Sequence, residues 1–345
     1  MRATLVDPLR DAGWARLVAT APGTTIFHHP RWLELLQATY RYPMAAALVT
    51  GDDGEPLAGL PIAGVRSRLH GRRLLALPFS DACPPLVARG VANADAEAAL
   101  DRVATTIERE RGRRDVPLEI CAPFPALGRT VDRFLLHLVD LRDGYAAAEA
   151  RWAARARRHV RAAERAGVRV ERRVDRAALD TFYALHVQTR RRLGVPTQPK
   201  RFIRGLGALM AAGLGYVAIA IHDGRPIAAA VFLRAGSTLT YKYGASDERF
   251  LHTRPNNLLF ARAMGWACDD GATTLDLGRT EPLQLGLASF KRSLGAAEEP
   301  LAYTYRGFEP RVEPGALERV AASVIRRSPP VLGRAVGELL YRHAG

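Results

Sequence analysis

A chain of 345 residues is long for one domain and comfortable for two, and an apolar share of 48% is that of an ordinary globular protein, so each domain can bury a full core. No stretch approaches the ~18 uninterrupted apolar residues of a membrane span, and Met1-Arg-Ala-Thr-Leu-Val-Asp-Pro8 lacks the apolar centre of a signal peptide. Cys83, Cys121 and Cys268 are odd in number and widely spaced, which argues against a disulfide framework or a Cys-x-x-Cys metal pair and makes the cytoplasm the expected compartment. The formal net charge of +15 favours polyanionic partners, whether nucleic acid, a nucleotide-linked substrate or an anionic membrane face. Arginine-rich coding raises the charge in the same way without any partner.

In chain order, Phe27–Tyr40 reads as an extended entry into a helix, with Pro30 in the first turn and Trp32, Leu35 and Leu36 at helical spacing. Strand-like runs at Met44–Thr50 and Glu55–Val65 flank Gly51-Asp-Asp-Gly54, a hairpin signal. A buried strand at Leu74–Pro78 leads into the loop Phe79–Pro85; a helix at Asp95–Arg111 and short strands at Val116–Cys121 and His137–Leu141 follow. Ala146–Ala166 reads as one strongly basic helix, with Arg151, Arg155 and Arg158 on one face and Arg157, Arg161 and Arg165 on a neighbouring stripe.

Next come a strand at Val168–Val174, helices at Leu179–Leu193 and from Pro199 to about Ala212, and a three-stranded meander: Tyr216–Ile221, Ile227–Arg234 and Thr238–Tyr243. A helix at Asn256–Asp270, a strand at Thr274–Leu277, a short helix at Leu287–Leu294 and a strand at Leu301–Arg306 complete the pattern. The expected fold is α/β (α+β), with two tandem domains, each a mixed, largely antiparallel sheet flanked by helices. The domains are expected at 1–143 and 144–310. The extension 311–345 reads as two helices broken at Pro329-Pro330, which pack on a domain or lie on an anionic membrane surface.

Of the 50 basic side chains only Lys200, Lys242 and Lys291 are lysines, which marks them as positions where a compact, mobile point charge serves and a guanidinium does not. In Thr240-Tyr-Lys-Tyr-Gly244, strand alternation sends Tyr241 and Tyr243 to one face and Lys242 to the other. Tyr243 is either a proton-handling hydroxyl or a core aromatic. Asn257 opens a helix whose free N–H groups suit an anion, or else caps that helix locally. Asp276 and Arg279 lie at the end of a strand, where polar residues line a ligand crevice or pair with each other. Phe290 and Lys291 follow on the short helix.

In the first half, Ser80, Asp81 and Cys83 are brought together; Cys83 reads as a buried thiol rather than a nucleophile, and Asp81 as a binding or orienting carboxylate. No nucleophile elbow, phosphate loop or metal-spaced cluster is present.

Tyr241-Lys-Tyr-Gly-Ala-Ser246, Arg254-Pro-Asn-Asn257, Leu275-Asp-Leu-Gly-Arg-Thr280 and Gly286-Leu-x-x-Phe-Lys-Arg292 resemble the C-terminal half of FemABX-like proteins. These are duplicated GNAT-fold acyltransferases that include the peptidoglycan interpeptide-bridge enzymes. Phe27-His-His-Pro-x-Trp32, Leu77-Pro-Phe-Ser-Asp81 and Arg190-Arg-Arg-Leu-Gly-Val-Pro-x-Gln198 resemble the same group upstream, so the likeness covers about residues 25–306.

The resemblance implies transfer of an aminoacyl group from a charged tRNA to an amine of a cell-envelope, sugar-nucleotide or peptide substrate, with no metal and no tightly bound cofactor. It implies that Lys291 meets the anionic end of the donor and stabilises the oxyanion, and that Tyr243 assists proton transfer. Asp81, Arg190, Tyr241, Lys242, Asn257, Asp276, Arg279 and Phe290 would bind substrate, while Arg151, Arg155, Arg158 and Arg161 would contact phosphate.

The alternatives are an acetyl-CoA-dependent N-acetyltransferase of polysaccharide or lipid metabolism and a non-catalytic RNA-binding module. No heptad insertion for holding tRNA is present. The Arg/Gln-x-x-Gly-x-Gly loop that cradles coenzyme A is replaced by His252-Thr-Arg-Pro-Asn-Asn257.

Overall fold

The computed structural model describes residues 1–67, 71–114, 116–309, 316–327 and 329–341. The elements run β1 (Arg2–Val6), α1 (Ala12–Thr20), α2 (Pro30–Tyr40), β2 (Met44–Thr50), β3 (Pro56–Ser67), β4 (Gly71–Ala76), β5 (Leu86–Val87), α3 (Asn93–Arg114), β6 (Leu118–Ile120) and β7 (Arg129–Asp140). They continue α4 (Gly144–Ala150), α5 (Ala154–Arg165), β8 (Arg169–Arg173), α6 (Arg176–Leu193), α7 (Lys200–Ala211), β9 (Gly215–His222), β10 (Arg225–Ala235) and β11 (Thr238–Ser246). The last are α8 (Pro255–Asp269), β12 (Thr274–Thr280), α9 (Leu285–Ser293), β13 (Ala297–Arg306), α10 (Ala316–Arg327) and α11 (Pro330–Leu340).

Two compact units emerge. The first comprises Met1–Phe134 and residues 300–309; the second comprises Leu135–Glu299 with α10 and α11. The sequence places the break near 143/144 and keeps Leu301–Arg306 in the second domain. Strand pairing divides the chain differently: Thr304, Tyr305 and Arg306 of β13 pair antiparallel with β6, whereas Val139 and Asp140 of β7 pair with β12. Hydrogen bonds between strands, rather than chain order, decide membership.

In the first unit the strand order is β1-β2-β3-β4-β6-β13, antiparallel except for the parallel pair β4 and β6, with β5 added to β3. α3 packs Ala99, Val103 and Ile107 against Leu60, Leu74 and Leu118. α1 closes a second core around Trp14 and Leu17. The sequence did not mark β1, α1 or β5. α1 is nonetheless capped in a regular way, with the Asp11 carboxylate accepting from the Trp14 N–H at 2.7 Å.

In the second unit the order is β7-β12-β11-β10-β9-β8. Tyr216, Ala218 and Ala220 of β9 and Ala228, Ala230 and Phe232 of β10 face one core with α5 and α8. Such alternation is what a strand covered on both faces requires, and each large apolar side chain so buried contributes about 2 kcal/mol. α6 begins at Asp175, whose carboxylate caps Ala178, and ends at Gly194 in the left-handed region (φ +72°).

The expected single helix over 146–166 is two helices. The chain breaks at Arg151-Trp-Ala153, where Trp152 is buried and the Ala153 N–H donates to the Ser293 carbonyl at 3.0 Å. Arg157 caps the end of α4, donating to the carbonyls of Glu149, Ala150 and Trp152. Arg151 therefore does not share a helical face with Arg155 and Arg158; its guanidinium donates to the Asp140 carbonyl instead.

Candidate active site

The parallel register of β11 with β12 covers only Thr238↔Thr274, Leu239↔Leu275 and Thr240↔Asp276, although β11 runs on to Ser246 and β12 to Thr280. Beyond the Thr240 pair the two strands no longer bond to each other. β11 carries a bulge at this point: Val231 pairs with Tyr243 and Phe232 with Tyr241, which leaves Lys242 as the extra residue.

The bulge overturns the expected alternation. Tyr241 packs against Phe232 and Phe260 of α8 (ring centroids 5.8 and 4.8 Å), whereas Tyr243 meets His186 of α6 and Phe202 of α7 (6.0 and 6.2 Å). The two tyrosines therefore lie on opposite faces of the sheet. The half-buried Lys242 holds its ammonium 5.3 Å from the Tyr243 ring centroid.

β12 has its own irregularity between Asp276 and Arg279, opposite His137 of β7. The buried Asp276 carboxylate accepts from the Gly278 N–H at 2.7 Å, and Gly278 takes φ +71°. This backbone turn is open to glycine and strained for other residues. It serves Lys291 on α9, whose side chain is only 3% exposed. The ammonium donates to the Gly278 carbonyl (2.7 Å), the Arg279 carbonyl (3.2 Å) and Thr280 Oγ1 (2.8 Å). The Arg279 side chain is exposed. Phe290, one residue before Lys291, stands edge-on to Phe260 with centroids 5.5 Å apart, which seats α9 on α8.

His137, Thr280 and Glu298 join this site without having been singled out in the sequence. Thr280 Oγ1 lies 3.4 Å from His137 Nδ1, and His137 Nε2 lies 3.0 Å from the Glu298 carboxylate, which also receives Arg292. Burial first, and the positive charge of Lys291 second, push the His137 pKa down, against the pull of Glu298. Their positions at 137, 280 and 298 carry no shared spacing. Only the pairing of β7 with β12 assembles them.

A basic cluster flanks the start of α8. Arg155, Arg158 and His159 of α5 gather with Arg254, which precedes Pro255 in the left-handed region (φ +57°). Desolvation and then these three arginines lower the His159 pKa. Arg155 also donates to Ser289 Oγ (2.6 Å) and to the Ser289 carbonyl, which links α5 to α9. Asn257 is buried in the first turn of α8, with its N–H on the Arg254 carbonyl. Arg161 is exposed further along α5.

Arg190 is half-buried and donates to the Pro196 carbonyl (3.0 Å) and to the Tyr341 hydroxyl (2.7 Å). It clamps the loop after α6 to α11. His186, one turn earlier, is buried against Phe182 and lies 2.5 Å from Gln198 Oε1; desolvation lowers its pKa to about 3.

In the first unit the Asp81 carbonyl accepts from the Tyr303 hydroxyl at 2.6 Å, and Asp81 is half-buried. Burial raises the Cys83 pKa well above its ordinary value, as expected of an inert thiol. Among the described residues no group of His, Cys, Asp and Glu forms a metal site, and no helix is long and apolar enough to cross a membrane.

Residues 149–292 match the family model described as acetyltransferase (GNAT) domain. Among solved structures, FemX is similar over 88% of this chain and 96% of its own, with a TM-score of 0.70 and 18% identity. The C-terminal DUF2156 domain of a putative lysylphosphatidylglycerol synthetase from Agrobacterium fabrum is similar over 91% and 95% (TM-score 0.55, 15% identity). L-PGS from Bacillus licheniformis is similar over 82% and 90% (TM-score 0.51, 12% identity). No curated protein matches the sequence significantly. Residues 149–292 are thus a GNAT-type acyltransferase domain, in a chain whose fold is similar to that of FemX.

Proposed function

We propose that the chain is an N-acyltransferase of FemABX type. It takes an aminoacyl or related acyl group from a phosphate-bearing donor and passes it to an amine on a cell-envelope, sugar-nucleotide or peptide substrate. The observation that carries this reading is one arrangement within the second unit. β11 and β12 stop pairing at Thr240↔Asp276, with Lys291 held at the end of β12 and four basic side chains grouped at the start of α8.

In the proposed reaction the acceptor amine attacks the acyl carbonyl and forms a carbon–nitrogen bond, with the carbonyl electron pair moving onto oxygen. The tetrahedral intermediate collapses by breaking the bond to the donor, a hydroxyl for tRNA or a thiol for coenzyme A. The amine's proton leaves and the departing oxygen or sulfur gains one. A fixed ammonium near the developing oxyanion lowers this barrier. Lys291 acts through its field, because its hydrogen bonds to Gly278, Arg279 and Thr280 hold it still. Tyr243 is assigned the proton-handling role beside His186. Arg155, Arg158, Arg254 and His159 are assigned the donor's phosphates.

A second reading, acetyl-CoA as donor, is favoured by the acetyltransferase description of the matching family. One experiment tests both. The protein is incubated with charged tRNA and with acetyl-CoA separately, each beside a small-molecule and cell-envelope extract that supplies amine acceptors, products are sought by untargeted mass spectrometry, and melting is followed with each donor. A donor present at 100 times its Kd adds about 2.7 kcal/mol to stability. Transfer from charged tRNA that weakens with salt supports the first reading; a melting shift and acetylated product with acetyl-CoA support the second. The absence of both shifts and products rejects an acyltransferase.

A further inference from the structure

We propose that His137 is a positioning residue for Lys291, acting through the Thr280 hydroxyl, so that a chain of hydrogen bonds from Lys291 to Glu298 holds the ammonium at the end of β12. This gives a function to a buried histidine that the proposed reaction leaves unused, and it rests on the proposed role of Lys291. Donor and acceptor chemistry fixes the direction of the chain. An ammonium only donates, so Thr280 Oγ1 accepts from Lys291 Nζ at 2.8 Å. The hydroxyl proton is then free to be donated, and the acceptor facing it is His137 Nδ1 at 3.4 Å. A histidine that accepts at Nδ1 carries its proton on Nε2, and Nε2 lies 3.0 Å from Glu298, a group that only accepts when ionised.

Each donor therefore has one acceptor, and reversing any link leaves two donors or two lone pairs facing each other. His137 itself is fully buried. The charged groups acting on it are Lys291 and Arg292 from α9 and Glu298 from β13. Arg292 anchors the far end by donating to both Glu298 oxygens, at 3.1 and 2.8 Å. The Lys291 ammonium is thus tied to two backbone carbonyls on one side and, through Thr280, to a neutral imidazole on the other. Without the imidazole the hydroxyl proton loses its acceptor, and Thr280 Oγ1, the third acceptor of the ammonium, is no longer held in orientation.

The test uses the rarity of lysine. The full-length protein is labelled at pH 8 with N-hydroxysuccinimidyl acetate, and acetylation of Lys291 relative to Lys200 is read by mass spectrometry in wild type, Thr280→Val, His137→Leu and His137→Asn. The expected result is a rise of about tenfold in the Lys291/Lys200 ratio in T280V and H137L, as the buried amine opens locally to reagent. H137N, whose amide oxygen falls near the place of Nδ1, is expected to stay close to wild type.

An unchanged ratio in H137L overturns the proposal even where T280V rises, because T280V also removes the direct bond from Thr280 to Lys291. So does a common rise of Lys200 and Lys291 labelling, which marks general loosening of the fold. If H137L does not fold, His137→Phe, which keeps a ring in place and removes the Nδ1 acceptor, gives the same two outcomes. The labelling needs no acyl donor, so a wild type that transfers nothing from charged tRNA or acetyl-CoA rejects the enzymatic reading while leaving this one to be decided by the lysine ratio.

Discussion

The carbonyl of Gly278 accepts a hydrogen bond from the Lys291 ammonium at 2.7 Å, and it is presented by a backbone turned to φ +71°. A strand end, a glycine and a helix-borne lysine are thereby joined into one unit. Arginine does not reproduce it: a planar, rigid fork cannot converge on two successive carbonyls and a hydroxyl as a compact ammonium does.

Replacing Lys291 by Met leaves buried acceptors unsatisfied. The expected loss is about 3 kcal/mol of stability, measured by urea unfolding, together with loss of acyl transfer. K291R is expected to recover neither.

Stability is expected to fall as pH drops below 6.5. Burial lowers the pKa of His28 from 6.5 to about 4 and of His186 to about 3, and lowers that of His137 as well. Above pH 6.5 these side chains are neutral in both folded and unfolded states and contribute no slope. Below it the unfolded chain binds protons that the folded one refuses, so each histidine removes about 1.4 kcal/mol per pH unit until its own folded pKa is reached. Urea unfolding from pH 7 to pH 4.5 reads the slope, and H186F is expected to remove one histidine's share of it.

A methyl group at Gly337 would overlap the Thr197 carbonyl. G337A is therefore expected to lift α11 from the loop after α6 and break the Arg190–Tyr341 hydrogen bond. Limited proteolysis is expected to cut the C-terminal helix free faster than in wild type, with a lower Tm.

If the cluster at the start of α8 holds donor phosphates, Arg158→Ala with Arg254→Ala weakens tRNA binding and flattens its dependence on salt. Removing one arginine–phosphate pair lowers the slope of log K against log salt by about 0.7 to 0.9. Anisotropy titrations over 50–200 mM salt measure it. Unchanged slopes return the basic face to composition alone.

Sequence periodicity located most helices and the meander β9–β10–β11, because burial on one helical face or on alternate strand positions is a local, repeating demand. Rarity of lysine and the run of polar residues at strand and helix ends singled out Lys291, Asp276 and Arg279, since residue type limits chemistry before any folding. The facing of Tyr241 and Tyr243 was misread because a single bulged residue, Lys242, shifts the alternation by one, and only the partner strand reveals it. The break at Trp152 was hidden because the cap on α4 comes from Arg157 and the following N–H is satisfied by Ser293, far along the chain.

The amino-acid order alone determined the layered α/β class, the excess of positive charge and the choice of lysine at position 291. Tertiary structure decided what that lysine touches: His137, Thr280 and Glu298 meet only because β7 lies beside β12 and β13 follows α9. Local patterns record which face of an element avoids water. A polar network depends on atoms brought within about 3 Å from distant positions, and no periodicity encodes that.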